Sequence, residues 1–244
     1  TVTQADLTPA QHRKIDRLLD LARVGPGTRL LETGTGWGEL SLRAARRGAQ
    51  VTAITLSHEQ LAHVQRRITE TGLDDRMTVH LLDYRHIRGK YDAVVSVEMI
   101  EAVGLPRLPL YFSRLERVLA PGGRIALQTS SVAHDRMTAT RDSHSFMRKY
   151  IFPGGLLPSP LALQQAAARS GLRITEWTHL GPHYAETLRL WRERLAGHHH
   201  DIHALGLDET FYRLWTLYLA YSEAGFRAGY LQSLQMLITR ASPN

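Results

Sequence analysis

Residues 29–40 read RLLETGTGWGEL: a short apolar run, then Gly34, Gly36 and Gly38 at alternate positions, then the start of a helical pattern. Glycine reaches positive φ and lets a ligand approach the backbone closely. A turn that opens a helix also points unpaired N–H groups at whatever binds there. Strand, glycine turn and helix in this order mark the ligand end of an open α/β sheet. The spacing is G-x-G-x-G, not G-x-G-x-x-G, and no Lys-Ser or Lys-Thr follows, so a phosphate-cradling loop is not expected.

The pattern continues outward from this turn. Residues 9–23 read as an amphipathic helix, with Ile15, Leu18, Leu19 and Ala22 on one face. Strand-like runs at 29–33, 50–56, 77–82, 91–97 and 123–130 alternate with helical patterns at 38–47, 57–71 and 107–119. Such alternation predicts a parallel sheet covered on both faces. APGG at 120–123 reads as a turn before the fifth strand. Later strands are predicted at 172–178 and 233–240. Residues 184–230 are helical and rich in aromatics, which suits either core helices or a substrate cap. The chain is read as one domain over 1–244, with that region as an insertion.

Composition narrows the chemistry. The 244 residues contain no cysteine, which excludes disulfides, thiol catalysis and Cys-ligated zinc. No apolar run approaches the length of a membrane span, and a cytoplasmic location is expected. The net charge of +7 suits an anionic lipid surface or nucleic acid. No RNA-binding motif or basic tail supports nucleic acid. His198, His199, His200 and His203 look like a metal cluster. Consecutive histidines do not share a helix face, so a solvated loop and no functional metal are expected.

The strand ends point to the ligand. The second strand ends in AITLSHEQ, with Thr55, Ser57, Glu59 and Gln60, whose hydroxyl and amide groups can bond a ribose. The third ends in LLDYR, where Asp83 can accept from an adenine amino group and Tyr84 can stack on the ring. This set favours S-adenosylmethionine over a nicotinamide dinucleotide.

Beyond the turn, longer stretches carry a resemblance. LETGTGWG (31–38), TLSHEQ (55–60), YDAVVSVEMIEAVG (91–104), KYIFPGGLLPS (149–159), PHYAETLRLW (182–191) and GFRAGYLQSLQMLITR (225–240) run in order over nearly the whole chain. They resemble the cyclopropane-fatty-acyl-phospholipid synthases and mycolic acid cyclopropane synthases. The resemblance implies a class I methyltransferase (Rossmann-like) fold, a mostly parallel seven-stranded sheet with a helical substrate cap at about 184–230. It implies S-adenosylmethionine as methyl donor and an unsaturated acyl chain, on a phospholipid at an anionic membrane surface, as acceptor. The expected product is a cyclopropane. Methyl branching or methylenation of the same alkene, or C-methylation of a small natural product, are the alternatives.

Roles follow position by position from the resemblance. Gly34, Thr35 and Gly36 would lie along the methionine part. Thr55, Leu56 and Gln60 would meet the ribose, and Asp83 and Tyr84 the adenine. Glu101, Gln128 and Tyr184 would form the catalytic set around a bicarbonate base. Departures are visible at three positions. Thr35 stands where much of the family has cysteine, Gln128 where it has histidine, and Ala102 where many members have a second histidine.

Overall fold

The computed structural model describes residues 2–143 and 145–241. Chain order runs α1 (Gln4–Leu21), β1 (Arg29–Thr33), α2 (Glu39–Arg46), β2 (Gln50–Thr55), α3 (His58–Glu70), β3 (Met77–Leu81) and β4 (Tyr91–Val97). It continues with α4 (Leu108–Val118), β5 (Leu119–Ser131), α5 (His134–Thr140), α6 (Pro160–Ala168) and β6 (Leu172–His179). The last elements are α7 (Gly181–Gly197), α8 (His199–Ala204), α9 (Glu209–Arg227) and β7 (Gln232–Arg240).

The seven strands form one sheet in the order β3-β2-β1-β4-β5-β7-β6. The first five pair in parallel, whereas β7 runs antiparallel to both β5 and β6. Strand order reverses between β1 and β4, so the crevice at their carboxyl ends is where a ligand sits in this architecture.

Neighbouring residues of β1 feed opposite cores. Leu30 packs with Leu18, Leu19, Leu42 and Val64 on one face. Leu31 packs with Tyr111, Phe112, Leu115 and Leu163 on the other. Burial on both faces is why two leucines stand side by side here instead of alternating with polar residues. Each leucine buried this way contributes about 2 kcal/mol.

Two boundaries differ from the sequence expectation. The helix expected from residue 9 starts at Gln4, because Asp6 accepts the Thr3 N–H at 2.9 Å and caps the chain earlier; Pro9 lies inside it. The expected turn at 120–123 is an irregularity within β5: Tyr91 pairs with Leu119, and the register resumes at Ala93 and Arg124. The predicted 184–230 region is the helix set α7–α9, inserted between β6 and β7. A small core of Ala185, Leu188, Leu219 and Phe226 joins α7 to α9.

Candidate active site

The glycine turn leaves β1 at the reversal point. Gly34 and Thr35 donate their N–H groups to the Ile54 carbonyl at 3.0 and 2.9 Å, which clamps the turn to β2. The three glycines serve different ends. A Cβ on Gly34 would lie 3.1 Å from Met99 Cγ, so this residue packs against the segment after β4. A Cβ on Gly38 would lie 2.9 Å from Val64, so Gly38 lets α3 approach. Gly36, at φ +53°, would point a Cβ into space with no atom within 4 Å. Only that last position opens onto room for a ligand.

Thr35 does not face this room. It is buried, and its hydroxyl donates to Glu32 at 3.3 Å. Ser41, in the first turns of α2, donates to the same Glu32 oxygen. Thr35 therefore braces the turn from beneath, a correction to its expected contact with the ligand. Glu32 is only 2% exposed, and burial raises its pKa to about 8. Sequence reading missed it; its signal was an acid directly after the two leucines of the strand.

Glu32 predicts how stability responds to pH. The folded chain holds a proton there that the unfolded chain has released above about 4.5, the ordinary value. Wherever the folded state binds more protons, stability falls as pH rises. Stability should therefore decline from about pH 4.5 to about pH 8, with Glu32 contributing on the order of a few kcal/mol. Thermal unfolding across pH 6 to 9 measures this. A Glu32→Gln variant should show a flatter profile, and an unchanged slope would contradict the assignment.

The second and third strands supply polar groups of uneven availability. Thr55 donates to Gln60 Oε1 at 2.7 Å and accepts from the Ser57 N–H at 3.1 Å. Among the described residues, the Gln60 NH₂ has no hydrogen-bond partner, which leaves it for a ligand. Leu56 beside it is 70% exposed. Asp83 accepts from the Arg85 N–H at 2.8 Å and from its guanidinium at 2.9 and 2.7 Å. That pairing holds the Asp83 carboxyl below its ordinary range. Tyr84 is turned inward: its ring meets Tyr111 edge-on at 5.2 Å, and its buried hydroxyl has no partner among the described residues. The ring of this half-buried residue packs against the core that holds Tyr111.

The catalytic candidates meet at the carboxyl ends of β4 and β5. Val97 pairs with Gln128, and the Glu98 N–H donates to the Gln128 carbonyl at 2.8 Å. Gln128 is fixed from behind, since Gln235 on β7 donates to its amide oxygen at 2.9 Å. Its NH₂ is thereby aimed forward, donating to Glu98 Oε1 at 2.8 Å and to the Tyr184 hydroxyl. Tyr184, near the start of α7, donates to the same Glu98 oxygen. Burial and the neighbouring Glu98 charge push the Tyr184 hydroxyl well above its ordinary pKa, so it remains a donor.

Gln128 and Tyr184 therefore converge as expected, but on Glu98, which sequence reading did not single out. The signal was present in EMIE: two carboxylates three residues apart at a strand end.

Glu101 lies alongside. Its Oε1 accepts from the Thr129 hydroxyl at 2.8 Å and the Ser130 N–H at 2.7 Å. Its Oε2 is buried without a partner among the described residues. Burial, reinforced by the Glu98 charge, raises its pKa to about 7. Aromatic rings line the approach: Tyr184 lies 5.3 Å from Phe226, and Tyr218 lies 5.8 Å from Phe152 between ring centres.

The histidines expected in a loop belong to α8 and the turn before it. His199 and His203 stand one helical turn apart, with Glu209 Oε2 at 3.0 and 3.5 Å. Consecutive residues diverge as argued, but the i, i+4 pair shares a face. Glu209 also binds Arg213 at 3.0 Å. These side chains, two imidazoles and a carboxylate within 4.8 Å of one another, form a cluster remote in sequence from the strand ends.

Comparison with known proteins fits this geometry. The family model described as mycolic acid cyclopropane synthetase matches residues 2–236. Tuberculostearic acid methyltransferase UfaA1 of Mycobacterium tuberculosis is 52% identical over 100% of this chain and 57% of its own length. The cyclopropane-fatty-acyl-phospholipid synthase of Escherichia coli is 33% identical over 98% of this chain and 60% of its own. The chain thus spans less than two thirds of the length of both relatives. The crystal structure of mycolic acid cyclopropane synthase CmaA1 complexed with SAH and CTAB superposes with a TM-score of 0.89 at 30% identity. That match covers 98% of this chain and 89% of the other.

Proposed function

The chain belongs to the mycolic acid cyclopropane synthetase family, and on that premise we propose that it transfers a methyl group from S-adenosylmethionine to the double bond of an unsaturated fatty acyl chain. The observation that carries this reading is a contact: Met99, within the Glu98–Glu101 segment, packs against Gly34 of the turn in which Gly36 opens onto empty space. The Gly36 turn and the Gln60 amide would hold the cofactor. When bound, S-adenosylmethionine supplies an electrophilic methyl that an alkene can accept, leaving a cationic carbon that must lose a proton.

The chain's own groups suit such an acceptor. Tyr184, Phe226 and Tyr218 offer aromatic faces, which attract cations and exclude water. Glu101 and Glu98 place negative charge beside the cation.

Relatives of two product types bear on the outcome. The 52% identical relative is named a methyltransferase of a fatty acid, and the 33% identical one a cyclopropane synthase. The higher identity favours a methyl-branched or methylene product over the cyclopropane placed first from sequence. Phospholipid presentation is proposed from the +7 charge and the exposed Tyr150, Phe152 and Tyr221. No helix among the described residues is long and apolar enough to cross a membrane.

Bicarbonate, implied by the family resemblance, does not fit this site. The two donors that would hold it, Gln128 and Tyr184, already donate to Glu98. A further anion would lie between two carboxylates.

Incubation with methyl-labelled S-adenosylmethionine and oleoyl phosphatidylglycerol vesicles tests the reading. Label is expected in the acyl chain, less at high salt as screening weakens the surface encounter. Proton NMR then separates cyclopropane hydrogens, far upfield, from exocyclic alkene hydrogens, downfield. No acyl label with either vesicles or the free acid would count against the function.

A further inference from the structure

We propose that Glu98 is the reaction's base, a carboxylate built into the chain at the place of a soluble anion. This rests on the methyl-transfer reading above and deepens it.

Glu98 is exposed at the end of β4, on the side where α7 covers the strand ends. One oxygen is held: Oε1 accepts from Gln128 and Tyr184. The other, Oε2, has no hydrogen-bond partner among the described residues and can receive a proton. The two donors fix the rotamer, and Gln235 fixes Gln128 in turn. A supported carboxylate with one unpaired oxygen is what a positioned base requires.

The backbone carries a second, independent sign. Glu98 sits at φ +52°, one of two non-glycine residues at positive φ among those described. A side chain there costs on the order of 1 kcal/mol that glycine would not incur. Strain of this kind is retained where the surroundings over-determine it, and it concentrates at functional sites. Here it places the carboxylate between the Gln128 amide and the Tyr184 hydroxyl. Met99, the next residue, touches Gly34 of the cofactor turn, so the base is joined to the place where the methyl arrives.

The proton balance closes without another reactant. The alkene π pair forms the new C–C bond as the S–CH₃ bond breaks, its electron pair staying on sulfur. The resulting cation loses one C–H proton to Glu98 Oε2. The pair from that C–H bond closes either a ring or a new C=C bond. No oxidant or reductant enters, and the exposed carboxyl returns its proton to solvent. The charged and titratable groups around Glu98 are Lys14 of α1, Glu101, Tyr184 and Tyr218.

The decisive experiment pairs turnover with anion binding. Wild-type turnover should be the same in bicarbonate-free and bicarbonate-supplemented buffer. Glu98→Gln should lose about a hundredfold or more in turnover, while calorimetry shows nearly unchanged S-adenosylmethionine affinity. Glu98→Gly relaxes the backbone and frees both donors, so it should be equally slow alone and be partly restored by bicarbonate. Carbon-13 bicarbonate should bind to Glu98→Gly and not to the wild type, a readout that needs no turnover. Wild-type dependence on bicarbonate, a Glu98→Gln enzyme at full rate, or a Glu98→Gly variant that neither binds nor responds to bicarbonate would each overturn the assignment. Absence of methyl transfer by the wild type, with the binding contrast intact, would instead count against the methyl-transfer reading while leaving Glu98 as the occupant of the anion position.

Discussion

Glu101→Gln is expected to lower turnover on the order of a hundredfold or more while leaving S-adenosylmethionine affinity nearly intact. Gln is the same shape, and its carbonyl oxygen can keep both bonds that Glu101 Oε1 accepts, from Thr129 and Ser130. The end of β5 therefore stays in place. What disappears is the negative charge that Oε2 presents in a buried setting, where the cationic carbon would develop. A charge of fixed position in such a setting acts more strongly than in water.

The pH profile sharpens the test. Glu101 titrates near pH 7, raised there by burial and by Glu98. Only its ionised form stabilises a cation, so wild-type turnover should climb between about pH 6 and pH 8. Glu101→Gln should lack that limb. A variant with wild-type turnover, or one that keeps the rise, would show that Glu101 only holds the strand end.

Gly36→Val is expected to weaken S-adenosylmethionine binding by about a hundredfold, read by calorimetry. The new side chain meets no protein atom within 4 Å, so it extends into the room assigned to the ligand. Displacing a ligand or the turn by that much costs about 3 kcal/mol, and each 1.4 kcal/mol is a factor of ten. The backbone at φ +53° adds a fold-stability loss of about 1–2 kcal/mol, visible as a lowered melting temperature. Gly38→Ala separates the two effects. Its Cβ would lie 2.9 Å from Val64, so its cost falls mainly on α3 packing and stability. Unchanged affinity in Gly36→Val would remove the ligand from this turn.

Much of the sheet was legible in the chain itself. Strands at 29–33 and 91–97 were read at their observed bounds, because both are buried on two faces and bounded by turn residues. The glycine turn was legible because positive φ demands glycine, a local property. Glu101, Gln128 and Tyr184 were found through longer matching segments, and two of the three do share a bond. The Ser159 cap and the helix after it, α6, escaped notice, since the LALQQAAA segment, apolar on both sides of Gln164 and Gln165, shows little periodicity.

Sequence alone therefore determined the alternation of strands and helices and the ligand turn, since each is written in local pattern, and Glu101 through the longer matching segments. Tertiary structure alone decided what those side chains touch. Thr35 turns down to Glu32, and the half-buried Tyr84 leans on Tyr111. Glu98 becomes the centre of the site only when β4, β5 and α7 bring Gln128 and Tyr184, 30 and 86 residues away, to one carboxylate oxygen. The physical reason is that hydrogen bonds between side chains depend on strand register and helix placement, and no window of sequence contains both partners.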